Sequence, residues 1–175
     1  MNTKFETLRS KVVAEKQLLT KVKNWKEAHQ KVVFTNGVFD ILHRGHVEYL
    51  AQAADFGDKL IVGLNADASV KRLGKGTNRP LQDEYSRALI IAALTFVDAV
   101  VIFDADTPFD TIVAIQPNVL IKGGDYDAAC TDNLNKKYIV GSDVVKKNGG
   151  EVTVISFVEG YSTTNIEEKI RKSLR

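Results

Sequence analysis

The feature that most constrains the fold is an alternation of short apolar runs, rich in β-branched residues, with longer segments of helical periodicity. The runs predict five buried strands, at residues 31–35, 59–64, 99–103, 119–122 and 152–157. The segments between them predict helices at residues 47–56, 83–97, 108–115 and 138–148, with a last helix after Ser162. Because strands that alternate with helices are joined by right-handed crossovers, the chain predicts an α/β fold with a doubly wound, parallel, five-stranded sheet.

The loops that follow the predicted strands are the expected location of a binding site. Ligands of doubly wound sheets bind at the carboxyl ends of the strands. That rule selects five loops, at residues 36–44, 65–82, 104–107, 123–137 and 158–161.

Residues 1–30 are predicted to form an N-terminal helical arm that precedes a domain of residues 31–175. Residues 1–31 contain eight Lys or Arg and three Glu, so this basic segment is a candidate to touch phosphates or a membrane surface. Apolar residues recur there at helical spacing, however, which favours an amphipathic helix packed on the domain. These apolar residues are Leu8, Val12, Leu18, Leu19, Val22 and Trp25.

The overall composition favours a cytoplasmic protein that binds neither nucleic acid nor membrane. The formal charge of +2 gives no general attraction to nucleic acid. The longest apolar run, residues 88–94, is far shorter than the roughly 20 residues that span a bilayer. The single cysteine, Cys130, cannot form an internal disulfide, and we expect no chemical role for it.

The loop after the first predicted strand carries the strongest chemical signal, because it runs from Gly37 to His43, Gly45 and His46 at the start of a helix. Backbone amides at a helix N-terminus attract anions such as phosphate, and glycines let a phosphate approach the backbone. Two imidazoles three residues apart lie on one side of the first turn. The alternatives are a metal pair or two incidental surface histidines, but zinc prefers a third protein ligand, and the other histidine is His29 in the arm. We therefore predict a phosphate site and no metal site.

Beyond these general arguments, the loop resembles the signature of the HIGH-motif nucleotidyltransferase superfamily, a strand followed by G-x-F-D-x-x-H-x-G-H. Every position matches, at Gly37, Phe39, Asp40, His43, Gly45 and His46. The segments TNGVFDILHRGHVEYL, LNADASVKRL, IKGGDY and YSTTNI are most similar to the adenylyltransferases that act on D-glycero-β-D-manno-heptose 1-phosphate. The resemblance runs from residue 31 to the C-terminus and implies a Rossmann-like nucleotidyltransferase fold. Some of these heptose enzymes are bifunctional and also carry a sugar kinase domain. The 175 residues leave no room for such a domain, so we expect a stand-alone transferase.

The resemblance implies an enzyme that joins AMP from ATP to the heptose 1-phosphate by in-line attack on the α-phosphorus, with pyrophosphate leaving. Mg²⁺ is implied as the partner of ATP. Because the attacking sugar phosphate is already anionic, catalysis depends on alignment and charge neutralisation rather than on a strong base. Members of this family commonly form dimers, so we expect a homo-oligomer.

Roles for individual residues also follow from the resemblance. His43 and His46 are expected to contact the α-phosphate, and a lysine of the second loop, Lys75 or alternatively Lys71, is expected to reach phosphate. The expected nucleotide-binding residues are Asn36, Gly37, Val38, Phe39, Asp40, Lys71, Gly124, Asp125, Ser162, Thr163 and Thr164.

Three further basic residues, Arg79, Arg87 and Lys122, are candidate phosphate or substrate contacts. For Arg87 the alternative is an ion pair with Asp83, which lies four residues earlier in a predicted helix. Lys122 ends a predicted strand at the ligand-bearing edge of the sheet, which favours a role in the site.

Three departures from the family pattern bear on the substrates. Similar cytidylyltransferases for glycerol phosphate carry Arg-Thr-Glu-Gly-Ile-Ser before the final helix, whereas residues 157–162 read FVEGYS, and the missing arginine argues against that branch. Residues 73–76 (LGKG) contain an extra glycine, which leaves the choice between Lys75 and Lys71 open. Residues 128–137 (AACTDNLNKK) form a longer loop than in the heptose enzymes, which leaves the acceptor sugar open.

Several other functions fit parts of the pattern. One is transfer from ATP or CTP to another phosphorylated acceptor, such as glycerol 3-phosphate, phosphoethanolamine or FMN. Another is a non-catalytic nucleotide sensor that keeps the pocket. A Walker-type ATPase around residues 74–77 is disfavoured, because Lys75 is followed by glycine instead of the serine or threonine that the motif requires.

Overall fold

The computed structural model describes residues 2–74 and 78–174 and contains a five-stranded, all-parallel sheet with helices on both faces. The strands are β1 (Val32–Gly37), β2 (Lys59–Asn65), β3 (Ala99–Phe103), β4 (Val119–Gly123) and β5 (Glu151–Ile155). The helices are α1 (Lys4–Arg9), α2 (Glu15–Glu27), α3 (Arg44–Ala54), α4 (Asp67–Arg72), α5 (Glu84–Ala92), α6 (Phe109–Ile115), α7 (Ser142–Lys147) and α8 (Thr163–Ser173). The predicted doubly wound sheet is confirmed.

The strand order, β3-β2-β1-β4-β5, fixes where a ligand can bind. From β1 the chain adds β2 and then β3 on one side of the sheet. It then crosses to the other side of β1, where it adds β4 and β5. In the register of the sheet, Thr35 of β1 lies beside Val62 of β2 and Ile121 of β4. Crossovers that leave in opposite directions open a crevice at the carboxyl ends of the strands. The loops after β1 and β4 therefore flank the expected binding site.

Both faces of the sheet are buried because its strands are apolar on both sides. One face, which includes Val33 and Val62, packs against α3 and α5. The other face, which includes Phe34 and Ile61, packs against α2, α6 and α7. This packing holds the ends of the strands, and the loops they carry, on a rigid base.

The N-terminal segment contains two helices, so the prediction of a single amphipathic helix is wrong. Between α1 and α2 the chain extends along the outer edge of β3. The backbone N–H of Val13 donates to the carbonyl of Val100 at 2.9 Å, and the N–H of Val100 donates to the carbonyl of Lys11 at 2.8 Å. The β-branched residues Val12 and Val13 favour this extended backbone. The segment thereby covers a sheet edge that would otherwise expose unpaired backbone groups.

Helix α2 packs its apolar face into the core. Leu18 is fully buried and Val22 is 4% exposed. The ammonium of Lys26 donates to the carbonyls of Ile115 at 2.9 Å and Gln116 at 2.7 Å, at the carboxyl end of α6. Burial lowers the pKa of Lys26. At least one basic residue of this segment therefore caps a neighbouring helix.

Two helix boundaries differ from the predictions in a way that matters for the site. Helix α3 begins at Arg44, three residues earlier than predicted, so the histidine motif forms its first turn. Helix α4 lies inside the segment predicted as the second loop, and it brings Lys71 onto a helix. In the part of the chain that the structure describes, no helix has both the length and the apolar character needed to cross a membrane.

Candidate functional site

The loop between β1 and α3 leaves the sheet through a strained turn. Phe39 has a φ of 48°, in the left-handed region that residues other than glycine seldom adopt. Its side chain is buried, and its ring packs edge-on against the imidazole of His46 with ring centroids 5.1 Å apart. Such strain persists where the surrounding structure determines it, often at functional sites. Here the buried ring holds the turn that leads into the histidine motif.

His43 and His46 lie together at the start of α3. Their rings are stacked, with centroids 3.7 Å apart and an interplanar angle of 20°. His43 is the N-cap of α3, since its Nδ1 accepts a hydrogen bond from the backbone N–H of His46 at 3.4 Å. The sequence predicts both imidazoles on one side of the first turn, and the structure brings them into direct contact.

The surroundings of His43 favour a neutral imidazole. Burial lowers the pKa of His43, because the imidazolium would lose hydration. With Nδ1 acting as an acceptor, the neutral ring carries its proton on Nε2. This Nε2–H is a hydrogen-bond donor suited to a phosphate oxygen.

The N-terminus of α8 converges with that of α3. The guanidinium of Arg44 lies 5.2 Å from the ring centroid of Tyr161 and donates to its hydroxyl at 3.3 Å. Gly45 permits this approach, since a Cβ at that position would lie 3.2 Å from the Cβ of Tyr161. Ser162 caps α8 by accepting the N–H of the third helical residue at 3.0 Å. Two helix N-termini thus share one region, and their amide groups and dipoles favour a bound anion there.

Asp40 fastens the loop after β1 to the segment that precedes α5. Its side chain is 3% exposed and accepts hydrogen bonds from the backbone N–H groups of Leu81 at 2.8 Å and Gln82 at 3.1 Å. Arg79 donates to the same carboxylate at 2.9 Å. Burial raises the pKa of Asp40, but these donors outweigh burial and hold the pKa below its usual value. The carboxylate is therefore engaged in holding two loops together.

Arg79, a candidate phosphate contact, is held between two carboxylates. Its Nη1 lies 2.9 Å from Oδ2 of Asp40, and its Nη2 lies 2.9 Å from Oε2 of Glu167 on α8. The side chain of Arg79 is 14% exposed. Arg79 thus bridges α8 and the loop of residues 38–43 between β1 and α3, here called the histidine loop.

Arg87 lies in the interior, 1% exposed. Its three nitrogens donate to the carbonyl of Gln82 at 3.0 Å, the carbonyl of Val38 at 2.7 Å and the carboxylate of Asp67 at 2.6 Å. The predicted alternative of an ion pair with Asp83 is wrong, because Asp83 caps α5 instead. These protein acceptors engage all three guanidinium nitrogens, which favours a structural role over a phosphate contact, and Arg87 connects the loops after β1 and β2.

A cavity of about 310 Å³ opens beside the histidine loop, at the carboxyl ends of β1, β2 and β4. Lys122 projects into this region, with its ammonium 2.9 Å from Oδ1 of Asn36 and 5.3 Å from the ring centroid of Tyr126. Lys136 and Tyr138, from the long loop after β4, also line the cavity. Sequence reasoning identified that loop as unusual in length but did not predict these two residues as part of a site.

Gly124, Asp125 and Lys71, three further predicted residues, follow the carboxyl ends of β4 and β2. Gly124 has a φ of 98° and lies against the ring of Phe157, so the position needs glycine. Asp125 follows it and is exposed. Lys71 is exposed in the last turn of α4. Lys75 lies outside the described residues.

Comparison with known proteins extends these observations. Residues 34–169 match the cytidylyltransferase-like family. The chain is 55% identical over 150 residues to the bifunctional protein HldE of Geotalea uraniireducens, which covers 86% of this chain and 29% of that protein. It is 49% identical over 166 residues to the bifunctional protein HldE of Helicobacter hepaticus, which covers 95% of this chain and 31% of that protein. The chain thus spans less than a third of the length of these relatives.

Solved structures show the same architecture. The lipopolysaccharide core biosynthesis protein from Thermoplasma volcanium GSS1 matches with a TM-score of 0.57 and 27% identity, covering 76% of this chain and 99% of that chain. A pantoate-beta-alanine ligase from Francisella tularensis matches with a TM-score of 0.57 and 15% identity, covering 94% of this chain and 78% of that chain, and shows the fold alone. The family match extends over most of β1, all of β2 to β5, both histidines and the start of α8. The chain therefore belongs to the cytidylyltransferase-like family.

Proposed function

We propose that the protein is an adenylyltransferase that transfers AMP from ATP to D-glycero-β-D-manno-heptose 1-phosphate and releases pyrophosphate. The observation that carries the proposal is the stacked pair of His43 and His46 at two converging helix N-termini. Membership of the cytidylyltransferase-like family supports nucleotidyl transfer. The similarity to HldE proteins and to a lipopolysaccharide core biosynthesis protein supports a sugar phosphate as acceptor.

The α-phosphate is assigned to His43, His46 and the amide groups at the start of α3. An oxygen of the sugar phosphate attacks the α-phosphorus, a new P–O bond forms, and the bond to the bridging oxygen of pyrophosphate breaks. Negative charge grows on the oxygens around phosphorus, and donors that are already in place stabilise it. The anionic nucleophile has no proton to lose, so no general base is assigned. Lys75, or alternatively Lys71, is assigned to the phosphates of the nucleotide.

The rest of the nucleotide is assigned to the start of α8 and to the loops after β1 and β4. Ser162, Thr163 and Thr164 at the start of α8 bind the β- and γ-phosphates through hydroxyl and amide groups. Backbone donors of residues 36–39 are assigned to the nucleotide, and Gly124 and Asp125 are assigned to its ribose or base. Asp40 acts indirectly, since its carboxylate already holds residues 79–82.

Magnesium enters the proposal as part of the ATP substrate. Among residues 2–74 and 78–174, no group of three or more His, Cys, Asp or Glu is arranged to hold a metal ion. Mg²⁺ commonly binds substrate phosphates and water with few protein ligands. The triphosphate would therefore supply most of its ligands and bring it to the site.

The acceptor is assigned to the side of the cavity of about 310 Å³ that carries Lys122 and Lys136. Residues 36–38, assigned to the nucleotide, line the same cavity, so the two substrates would meet there. Two ammonium groups, from Lys122 and Lys136, lie in its lining and suit a phosphate monoester. Asn65 and Asp106 also line it and offer hydrogen-bond partners for sugar hydroxyls. The volume falls within the usual range for small-molecule sites, roughly 300–1,000 Å³.

Pyrophosphate release by the purified protein tests the proposal. ATP and CTP are each combined with heptose 1-phosphate and with glycerol 3-phosphate. We expect turnover with ATP and heptose 1-phosphate. Turnover with CTP and glycerol 3-phosphate alone would overturn the assigned substrates, and tight ATP binding without turnover on either acceptor would favour a nucleotide sensor.

A further inference from the structure

We infer that Arg79 is a positioning residue, which places the phosphate-binding end of α8 relative to the two histidines through a chain of ion pairs, Asp40–Arg79–Glu167. The inference rests on the proposed function, because that function assigns the β- and γ-phosphates to the start of α8. It concerns how the site is assembled from two separate helices.

Helix α8 has little apolar anchoring to the rest of the molecule. None of the residues from Thr163 to Ser173 is buried, and Ile170 is 52% exposed. A fully buried apolar side chain would anchor the helix through the hydrophobic effect. Because α8 lacks such burial, its position must depend on polar contacts near its beginning.

Two polar contacts hold that end of the molecule. Just before α8, the ring and hydroxyl of Tyr161 contact the guanidinium of Arg44. Within its second turn, Glu167 accepts from Arg79 at 2.9 Å. The side chains of Arg79 and Glu167 are 14% and 27% exposed, so solvent screens the attraction between their charges less than in a fully exposed pair. If the pair between Arg79 and Glu167 is lost, only the contact between Tyr161 and Arg44 remains of these two.

The other end of the chain of ion pairs lies in the histidine loop. Asp40 precedes His43 by three residues and is held by the backbone N–H groups of Leu81 and Gln82. Its carboxylate fixes Nη1 of Arg79, which leaves Nη2 directed at Glu167. The planar guanidinium thus sets the spacing between the loop that carries the histidines and α8. Lysine, with a single flexible ammonium, cannot make the same double contact.

The variant Glu167→Gln tests the inference, with Glu168→Gln on the same helix as the matched control. We expect Glu167→Gln to raise KM for ATP by about tenfold, the factor expected for one charge-assisted hydrogen bond, with little change in kcat. Glu168→Gln should stay within about twofold of the unmodified protein. In hydrogen exchange, amides of residues 163–173 should exchange faster in Glu167→Gln than in Glu168→Gln.

The outcomes separate this inference from the proposed function. An unchanged KM for ATP in Glu167→Gln overturns the link to phosphate binding, even if α8 exchanges faster. Equal exchange of α8 in both variants overturns the positioning role. If the unmodified protein releases no pyrophosphate, the proposed function fails, and faster exchange in Glu167→Gln alone still supports the placement of α8 by Arg79.

Discussion

The imidazoles of His43 and His46 stack with ring centroids 3.7 Å apart, and Nδ1 of His43 accepts the backbone N–H of His46. Burial lowers the pKa of His43, because the imidazolium would lose hydration. His43 therefore caps the helix through Nδ1, while the proposed function uses the Nε2–H of its neutral ring as a donor to phosphate. These two functions can be separated by mutation.

Replacement of His43 by Asn should remove catalysis and spare the fold. Asparagine is a favourable N-cap, so the start of α3 keeps an acceptor while the imidazole donor is lost. We expect kcat to fall by between about 100-fold and 1,000-fold. His43→Ala should lose the same activity and also about 1 kcal/mol of stability, measured by urea unfolding, because the cap is gone. A kcat for His43→Asn equal to that of the unmodified protein would contradict the role of the imidazole.

Stability should fall in mild acid as His43 takes up a proton. The folded protein holds the pKa of His43 below the unfolded value of 6.5, so the unfolded chain binds the proton more readily. The stability contributed by the neutral ring is complete above pH 6.5 and is lost as the pH falls through 6.5 towards the lower folded pKa. Urea unfolding between about pH 5 and pH 8 should show this loss, with a shallower slope for His43→Asn. Equal slopes for the two proteins would count against it.

Replacement of Arg87 by Met should destabilise the fold without a specific effect on substrate binding. The change leaves the carboxylate of Asp67 and two carbonyls without their buried donor. We expect a loss of about 3 kcal/mol or more in the free energy of unfolding. Arg171→Met, at an exposed position on α8, is the control and should change it by less than about 0.5 kcal/mol. Equal stability of the two variants would show that Arg87 does not hold the loops together.

Replacement of Lys136 by Ala should weaken binding of the acceptor and leave ATP binding unchanged. Lys136 lines the cavity assigned to the sugar phosphate, whereas its neighbour Lys137 does not. We expect KM for the sugar phosphate to rise by about tenfold in Lys136→Ala, the factor for one charge-assisted contact, with KM for ATP unaltered. Lys137→Ala should behave like the unmodified protein. A rise in KM for ATP instead would place the nucleotide, and not the acceptor, on this side of the cavity.

Much of the fold follows from local sequence patterns. The strands were predictable because buried parallel strands are continuously apolar, and most helices because their apolar residues recur at helical spacing. The break between α1 and α2 was not, because Val12 continues the helical spacing while its backbone pairs with the edge of β3. That pairing depends on a residue almost ninety positions away, Val100, which local periodicity cannot reveal.

The site was predictable in part. The spacing of His43 and His46 predicted that both imidazoles lie together at the start of a helix, and the structure adds their stacking. The phosphate site itself stays a prediction. The partners of Arg79 and Arg87 were not predictable, because Asp40, Asp67 and Glu167 reach them through tertiary packing. The choice between Lys75 and Lys71, the homo-oligomer and the cytoplasmic location stay predictions.

The central claim is that the two histidines promote attack of a sugar phosphate on the α-phosphorus of ATP. The most direct measurement follows ATP radiolabelled at the α-phosphorus in a reaction with D-glycero-β-D-manno-heptose 1-phosphate. The account predicts that the label appears in a sugar nucleotide, that pyrophosphate is unlabelled, and that His43→Asn and His46→Asn suppress the transfer. Label that stays in ATP, or appears only in ADP or free AMP, would contradict it.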